Sequence, residues 1–170
     1  MREHKRDKGR LEDIVKFAKN VEQIVSGITY NDFCSDIRIY YSVMKNIEVI
    51  GEASNMLTKD FRNTYTAVPW REVIGMRNVL VHGYSQVSDI DLWNAAINDV
   101  KPLRVQVENY INTINWDEWN LLQQEFNEID SLVYKKMLET ARKLKKMGLS
   151  TQQIMSATDL SEKEIEEIKC

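Results

Sequence analysis

Residues 38–61, RIYYSVMKNIEVIGEASNMLTKDF, carry the pattern that decides the fold. Val43, Ile47, Ile50 and Ser54 recur at helical spacing and fall on one stripe, while Glu48 and Glu52, four residues apart, share another side. A long helix with one apolar stripe is stable only when that stripe is buried against neighbours. The sequence on either side should therefore supply helices of the same kind.

It does. LEDIVKFAKNVEQIVSGI (residues 11–28) places Leu11, Ile14, Val15, Ala18, Val21 and Val25 at helical spacing, with Gly27 as the expected stop. NDFCSD (31–36) reads as a turn. Pro69 opens a shorter helix, WREVIGMRNVLVH (70–82), which Gly83 should end. SQVSDID (85–91) reads as a loop. DLWNAAINDVKPLRVQVENYINTI (91–114) is a fourth helix, with Trp93, Ala96, Ile97, Val100, Leu103, Val107, Tyr110 and Ile114 inward and Pro102 kinking or splitting it. The expected architecture is all-α: an up-and-down bundle of four to five helices over residues 1–116.

From Asp117 the character changes. WDEWNLLQQEFNEIDSL is acidic and amphipathic, and a helix through YKKMLETARKLKKM follows, stopped by Gly148. Two short helices with capping-box signatures, Ser150 to Gln153 and Ser161 to Glu164, close the chain. Residues 117–170 thus form a helical extension that ends like a helix-turn-helix. Its second helix, SEKEIEEIK, is acidic and would be repelled by phosphates, so we expect packing or partner binding there and no sequence-specific DNA reading.

Composition narrows the function classes. With 43% hydrophobic and 29% charged residues, and only six glycines and two prolines in 170 residues, the chain reads as a globular helical protein. The formal net charge is −3, so no general basic surface marks it as a nucleic-acid binder; residues 1–116 balance 15 basic against 15 acidic side chains. Cys34 and Cys170 suggest neither a disulfide framework nor a metal site, which makes a reducing cytoplasm the expected setting. No run approaches the length of a membrane span, and the charged lead MREHKRDKGR does not read as a signal peptide.

The chemistry concentrates in MRNVLVHGY, Met76 to Tyr84. It holds His82, one of only two histidines; the other, His4, lies in the charged lead. On a helix, Asn78 and His82 share a face, and the long side chain of Arg77 can swing toward them. Tyr84 follows on the exit segment. A guanidinium, an amide, an imidazole and a phenol at this spacing suit phosphodiester chemistry without a metal. Histidine moves protons near neutral pH, arginine grips phosphate with a planar fork, and RNA brings its own nucleophile, the 2′-hydroxyl. Cleavage needs both a base and an acid, and a symmetric dimer with two His82 side chains would supply them. On spacing alone a different role stays open, since a histidine at a helix end is more often a C-terminal cap than a catalyst. Glu48 and Glu52 read equally well as a solvated helix face.

The wider context adds to this. RDKGRLEDI, the block EVIGEASNML (Glu48 to Leu57), VPWREVIGMRNVLVHGY (Val68 to Tyr84) and the tryptophan of DIDLW resemble, in order and spacing, the HepT-like branch of the HEPN superfamily. The resemblance runs from about Arg6 to Ile114. It implies a dimeric helical bundle that places two Arg-x4-His motifs in a shared cleft and cleaves RNA without metal or cofactor. It also implies a toxin paired with a minimal nucleotidyltransferase antitoxin, which adds AMP to the motif tyrosine. Carried over, Arg77 and His82 are catalytic, Asn78 is the polar residue after the arginine, and Tyr84 is the adenylylation acceptor. Glu48 and Glu52 match the Glu-x-x-Gly-Glu block, with a supporting role. Ser85-Gln86 stands where an aromatic-glycine pair is common. The competing expectation is a non-catalytic helical partner that binds nucleotide or RNA and positions a nucleotidyltransferase.

Overall fold

A computed structural model describes residues 6–82 and 88–168. The chain is all-α, and by its internal contacts it divides into two compact units, Met1–Trp116 and Asp117–Cys170. Among the described residues no helix is long and apolar enough to cross a membrane.

The first unit is built on α1 (Arg6–Val25), α3 (Ile37–Asn55), α5 (Trp70–His82) and the pair α6 (Asp89–Asn94) and α7 (Val100–Thr113), with α2 (Tyr30–Ser35) and α4 (Lys59–Thr64) as short connectors. Helix α3 packs between α1 and α5, and α1 also packs on α7. The stripes read from sequence form the interior: Leu11, Ile14, Ala18 and Val21 of α1 meet Val43, Ile47 and Ile50 of α3, all buried. Ser54 can be buried because its hydroxyl donates to the Ile50 carbonyl at 2.8 Å. Gly27 ends α1 with φ +76°, a conformation that favours glycine.

Three elements differ from the sequence expectation. Residues 31–35 of the expected turn are helical, because Thr29 and Asp32 form a capping box and Phe33 is buried against Tyr40 and Trp93, and only Asp36 is extended. Helix α3 stops at Asn55 and does not run on to Phe61. There the buried Asp7 carboxylate accepts from the Thr58 N–H and hydroxyl, both at 2.8 Å, and Thr58 caps α4. Finally, the fourth rod is not cut at Pro102, which lies within α7. It passes through a π turn, Ala95–Asp99, in which the Val100 N–H bonds the Ala95 carbonyl. Pro102 cannot donate to Asn98, and the wider turn just upstream absorbs the mismatch. The extra residue rotates the register, which leaves Ile97 42% exposed where the plain helical period places it inward.

Arg104 joins α7 to α1. It lies 2.6 Å from Glu22 and 2.6 Å from Glu108, and Lys19 reaches Glu108 at 2.8 Å. Lys19, then the charge of Arg104, holds the Glu108 carboxyl below its ordinary range against the opposing effect of burial. A lowered pKa means this stabilisation is complete above the ordinary Glu value and is lost as pH falls through the lowered one. Arg104→Ala is expected to cost about 1–2 kcal/mol after allowing for solvent screening, read as a lower urea midpoint at neutral pH. The deficit should shrink in acid. A deficit unchanged down to full protonation of Glu108 would assign it to lost packing instead.

In the second unit, α8 (Trp116–Lys146) is one continuous helix, and its C-terminal half carries α9 (Thr151–Thr158) and α10 (Glu162–Glu166). Ala141, Ile154, Leu160, Ile165 and Ile168 form a small core. Both expected capping boxes are present, on Ser150 with Gln153 and on Ser161 with Glu164. Gly148, at φ +83°, ends the α8 turn, and Lys145 donates to the Ile165 and Ile168 carbonyls at 2.9 and 3.0 Å.

Candidate active site around Arg77

Helix α5 owes its start to Pro69, whose carbonyl accepts from the Glu72 and Val73 N–H groups, and its anchor to Trp70, buried with its indole N–H on the Tyr65 carbonyl at 2.7 Å. From that fixed end the helix carries Arg77 against α3. The guanidinium Nη2 lies 2.8 Å from Glu52 Oε2, and Nη1 donates to Asn78 Oδ1 at 3.1 Å. The Glu52 contact is at ion-pair distance but is not aligned as a hydrogen bond, and Arg77 Nε is buried with no acceptor among the described residues. Glu52 and Asn78 thereby orient the two terminal nitrogens of the fork.

Gly51 makes this placement possible, and sequence reasoning gave it no role. A Cβ at this position would overlap Arg77 Cβ and lie 3.1 Å from both Arg77 Cγ and the Val73 carbonyl oxygen. The two helices therefore cross with the Gly51 backbone against the Arg77 stem. The signal was weak: a glycine inside a helix costs stability relative to alanine, but at Gly9 and Gly75, also within helices, an added Cβ would meet nothing within 4 Å, so the residue type alone does not single out Gly51.

The structure brings together Arg77, Asn78 and Glu52. It leaves Glu48 apart, paired with Lys45 at 2.7 Å on the solvent side of α3. His82 is exposed at the last described position of α5, with no hydrogen-bond or ion-pair partner among the described residues. Five residues separate it from Arg77, so it sits about 7.5 Å further along the axis and about 140° round the helix. Asn78, one turn before His82, shares its face and is also exposed. Gly83 and Tyr84, the expected helix stop and modification site, lie outside the described residues, as do Ser85 and Gln86. Among the described residues no three His, Cys, Asp or Glu side chains gather as a metal site.

Comparison with known proteins gives this geometry a family. The model of the family described as "Ribonuclease HepT-like" matches residues 14–110. The chain is 40% identical over 105 residues to "Putative RNase MJ1380" of Methanocaldococcus jannaschii, which covers 61% of this chain and 96% of that protein. It is 34% identical over 101 residues to "Probable ribonuclease HepT" of Thermococcus cleftensis, covering 59% and 92% respectively. No solved structure matches it significantly. The matched span takes in α3, α5 and the Arg77 clamp, and the chain belongs to the HepT-like ribonuclease family.

Proposed function

We propose that this chain is a metal-independent endoribonuclease, the toxin of a toxin–antitoxin pair, acting as a symmetric homodimer in the cytoplasm. The observation that carries the reading is Arg77, a guanidinium held on two edges by Glu52 and Asn78, on the helix that ends in the exposed His82 about 7.5 Å further along the axis. In the proposed reaction, His82 of one subunit takes the proton of the RNA 2′-hydroxyl. The 2′-oxygen attacks phosphorus, the bond to the 5′-oxygen breaks, and the partner subunit's His82 delivers a proton to that oxygen. Arg77 neutralises the charge that builds on the non-bridging oxygens. The products are a 2′,3′-cyclic phosphate and a 5′-hydroxyl. Glu52 and Asn78 act as positioning residues. Expression in cells should arrest growth together with loss of RNA integrity; growth arrest with intact RNA would contradict the reading.

The partner we propose is a minimal nucleotidyltransferase that transfers AMP from ATP to the Tyr84 hydroxyl, releasing pyrophosphate. Tyr84 stands two residues from His82. An AMP group there is a bulky anion that competes with RNA phosphate for Arg77. Tyr84→Phe is expected to keep most of the cleavage activity and escape neutralisation completely. Intact mass after incubation with the partner and ATP decides it: an AMP increment on the wild type that persists in Tyr84→Phe moves the modification to another residue. For the second unit we propose partner binding. Between Leu121 and Val133, α8 exposes Leu121, Leu122, Phe126, Ile129, Leu132 and Val133, and the acidic α10 is unsuited to DNA.

A further inference from the structure

Two hollows flank α5, and they differ in chemistry. One, of about 530 Å³, is walled largely by apolar side chains, among them Ile47, Ile50, Val73, Met76 and Leu103. The other, of about 700 Å³, lies between α4 and α5 and is lined by Lys59, Arg62, Asn63, Arg71, Gly75 and Asn78 among others. Lys59 and Arg71 are exposed and Arg62 is half-buried. None of the three cations is held in an ion pair among the described residues, in contrast to Lys19, Lys45, Arg77 and Arg104. The one carboxylate lining the hollow is Glu72. In a bundle that balances basic and acidic residues overall, three uncommitted cations around one concavity make a local positive site.

Its direction is fixed by the helix. Arg71, Gly75, Asn78 and His82 follow one another at steps of four, three and four and so form a single face of α5. The first three line the cleft. The fourth is the histidine, exposed at the described end of the same helix. Gly75 contributes no side chain to this lining. A chain of phosphates lying on this face would touch Lys59, Arg62 and Arg71 first and reach His82 about 16 Å further along the axis.

We propose that this cleft is the substrate track, which holds the RNA phosphates on one side of the scissile bond through Lys59, Arg62 and Arg71. The inference rests on the ribonuclease reading and adds where the strand lies and which residues hold it. Contacts of this kind are electrostatic and sequence-independent, so they set affinity and register and leave the chemical step to Arg77 and His82.

The test uses the full chain with Lys59, Arg62 and Arg71 all changed to Gln, and a control chain with Lys8, Lys16 and Lys101, exposed lysines outside the cleft, changed to Gln. Binding of a single-stranded RNA is measured in the His82→Ala background across a salt series, and cleavage with His82 intact. Counterion release predicts that losing three phosphate contacts weakens binding about a hundredfold near 0.1 M salt and flattens the log–log salt slope by about 2. Cleavage at saturating RNA should be retained, and the control triple should bind nearly as the parent does. If the parent cleaves RNA and the cleft triple binds it with unchanged affinity and slope, the track is wrong and the ribonuclease reading stands. Equal losses in both triples would trace the effect to net charge and also overturn the track. A parent that neither binds nor cleaves RNA overturns both.

Discussion

His82→Ala is expected to lower RNA cleavage by about a hundredfold or more, the scale of a lost acid–base group, while leaving the fold intact. The fold should not notice, because His82 is exposed and makes no bond among the described residues. Arg77→Ala should cost at least as much activity but for a different reason, loss of charge stabilisation at phosphorus, again about a hundredfold. It should also cost some stability, since Glu52 is left without its partner. Arg77→Lys keeps the charge and loses the planar fork, so an intermediate activity is expected. Mixing Arg77→Ala with His82→Ala chains separates the shared cleft from a single-chain site. Mixed dimers hold one Arg77 and one His82 in the same cleft; short of the second histidine, they should recover only a small part of the activity, and a rate above both single variants marks the cleft as shared. Full activity from a monomer in light scattering would contradict the dimer.

The second large effect is expected from Gly51→Ala. Helix propensity alone predicts that this change stabilises the chain by about 1 kcal/mol. The contact geometry predicts the opposite sign, because the new methyl overlaps Arg77 Cβ, which is stem and not a flexible tip. Separating α3 from α5 should cost about 1–3 kcal/mol, as overpacking does. The larger effect should fall on function, since a shift of the Arg77 stem moves the guanidinium relative to Glu52 and to the reacting phosphate. A misplacement of that order costs about a hundredfold in rate. Gly9→Ala is the control: Gly9 lies within α1, where a Cβ meets nothing within 4 Å. It should leave cleavage unchanged and stability equal or slightly raised. Cleavage by Gly51→Ala at the wild-type rate would show that the close crossing does not position Arg77.

Much of the bundle was legible because its helices are long and their stripes unambiguous. Val43, Ile47 and Ile50 point to one face whatever surrounds them, and Gly27, Gly148 and the serine caps behave as local chemistry requires. What could not be read locally depends on partners distant in sequence. Helix α4 begins where it does because Asp7, at the far end of α1, reaches Thr58. Short α2 is held by Phe33 packing on Trp93, which lies 60 residues away. Ile97 turned outward because a π turn adds a residue, and Pro102 announces a disturbance without specifying its form. The candidate site divides in the same way. The sequence placed Asn78 and His82 on one helical face and let Arg77 swing toward them; the fold holds Arg77 to Asn78 and to Glu52 on α3, with no bond to His82 among the described residues. It gave Glu48 and Glu52 one shared supporting role, and the structure separates them, one paired with Lys45 and the other with Arg77. Gly51, which decides that crossing, looked like an ordinary member of the IGEA block.

The central claim, that Arg77 and His82 cleave RNA by activating its own 2′-hydroxyl, is tested most directly by the ends of the cut strand. A defined single-stranded RNA is incubated with the full chain in the presence of a strong chelator, and both fragments are identified by mass. The expected fragments carry a 2′,3′-cyclic phosphate and a 5′-hydroxyl, form in undiminished yield with chelator, and vanish with His82→Ala or when the scissile nucleotide is 2′-deoxy. A 3′-hydroxyl and a 5′-phosphate, formed only without chelator and still formed by His82→Ala, would contradict the mechanism at every step.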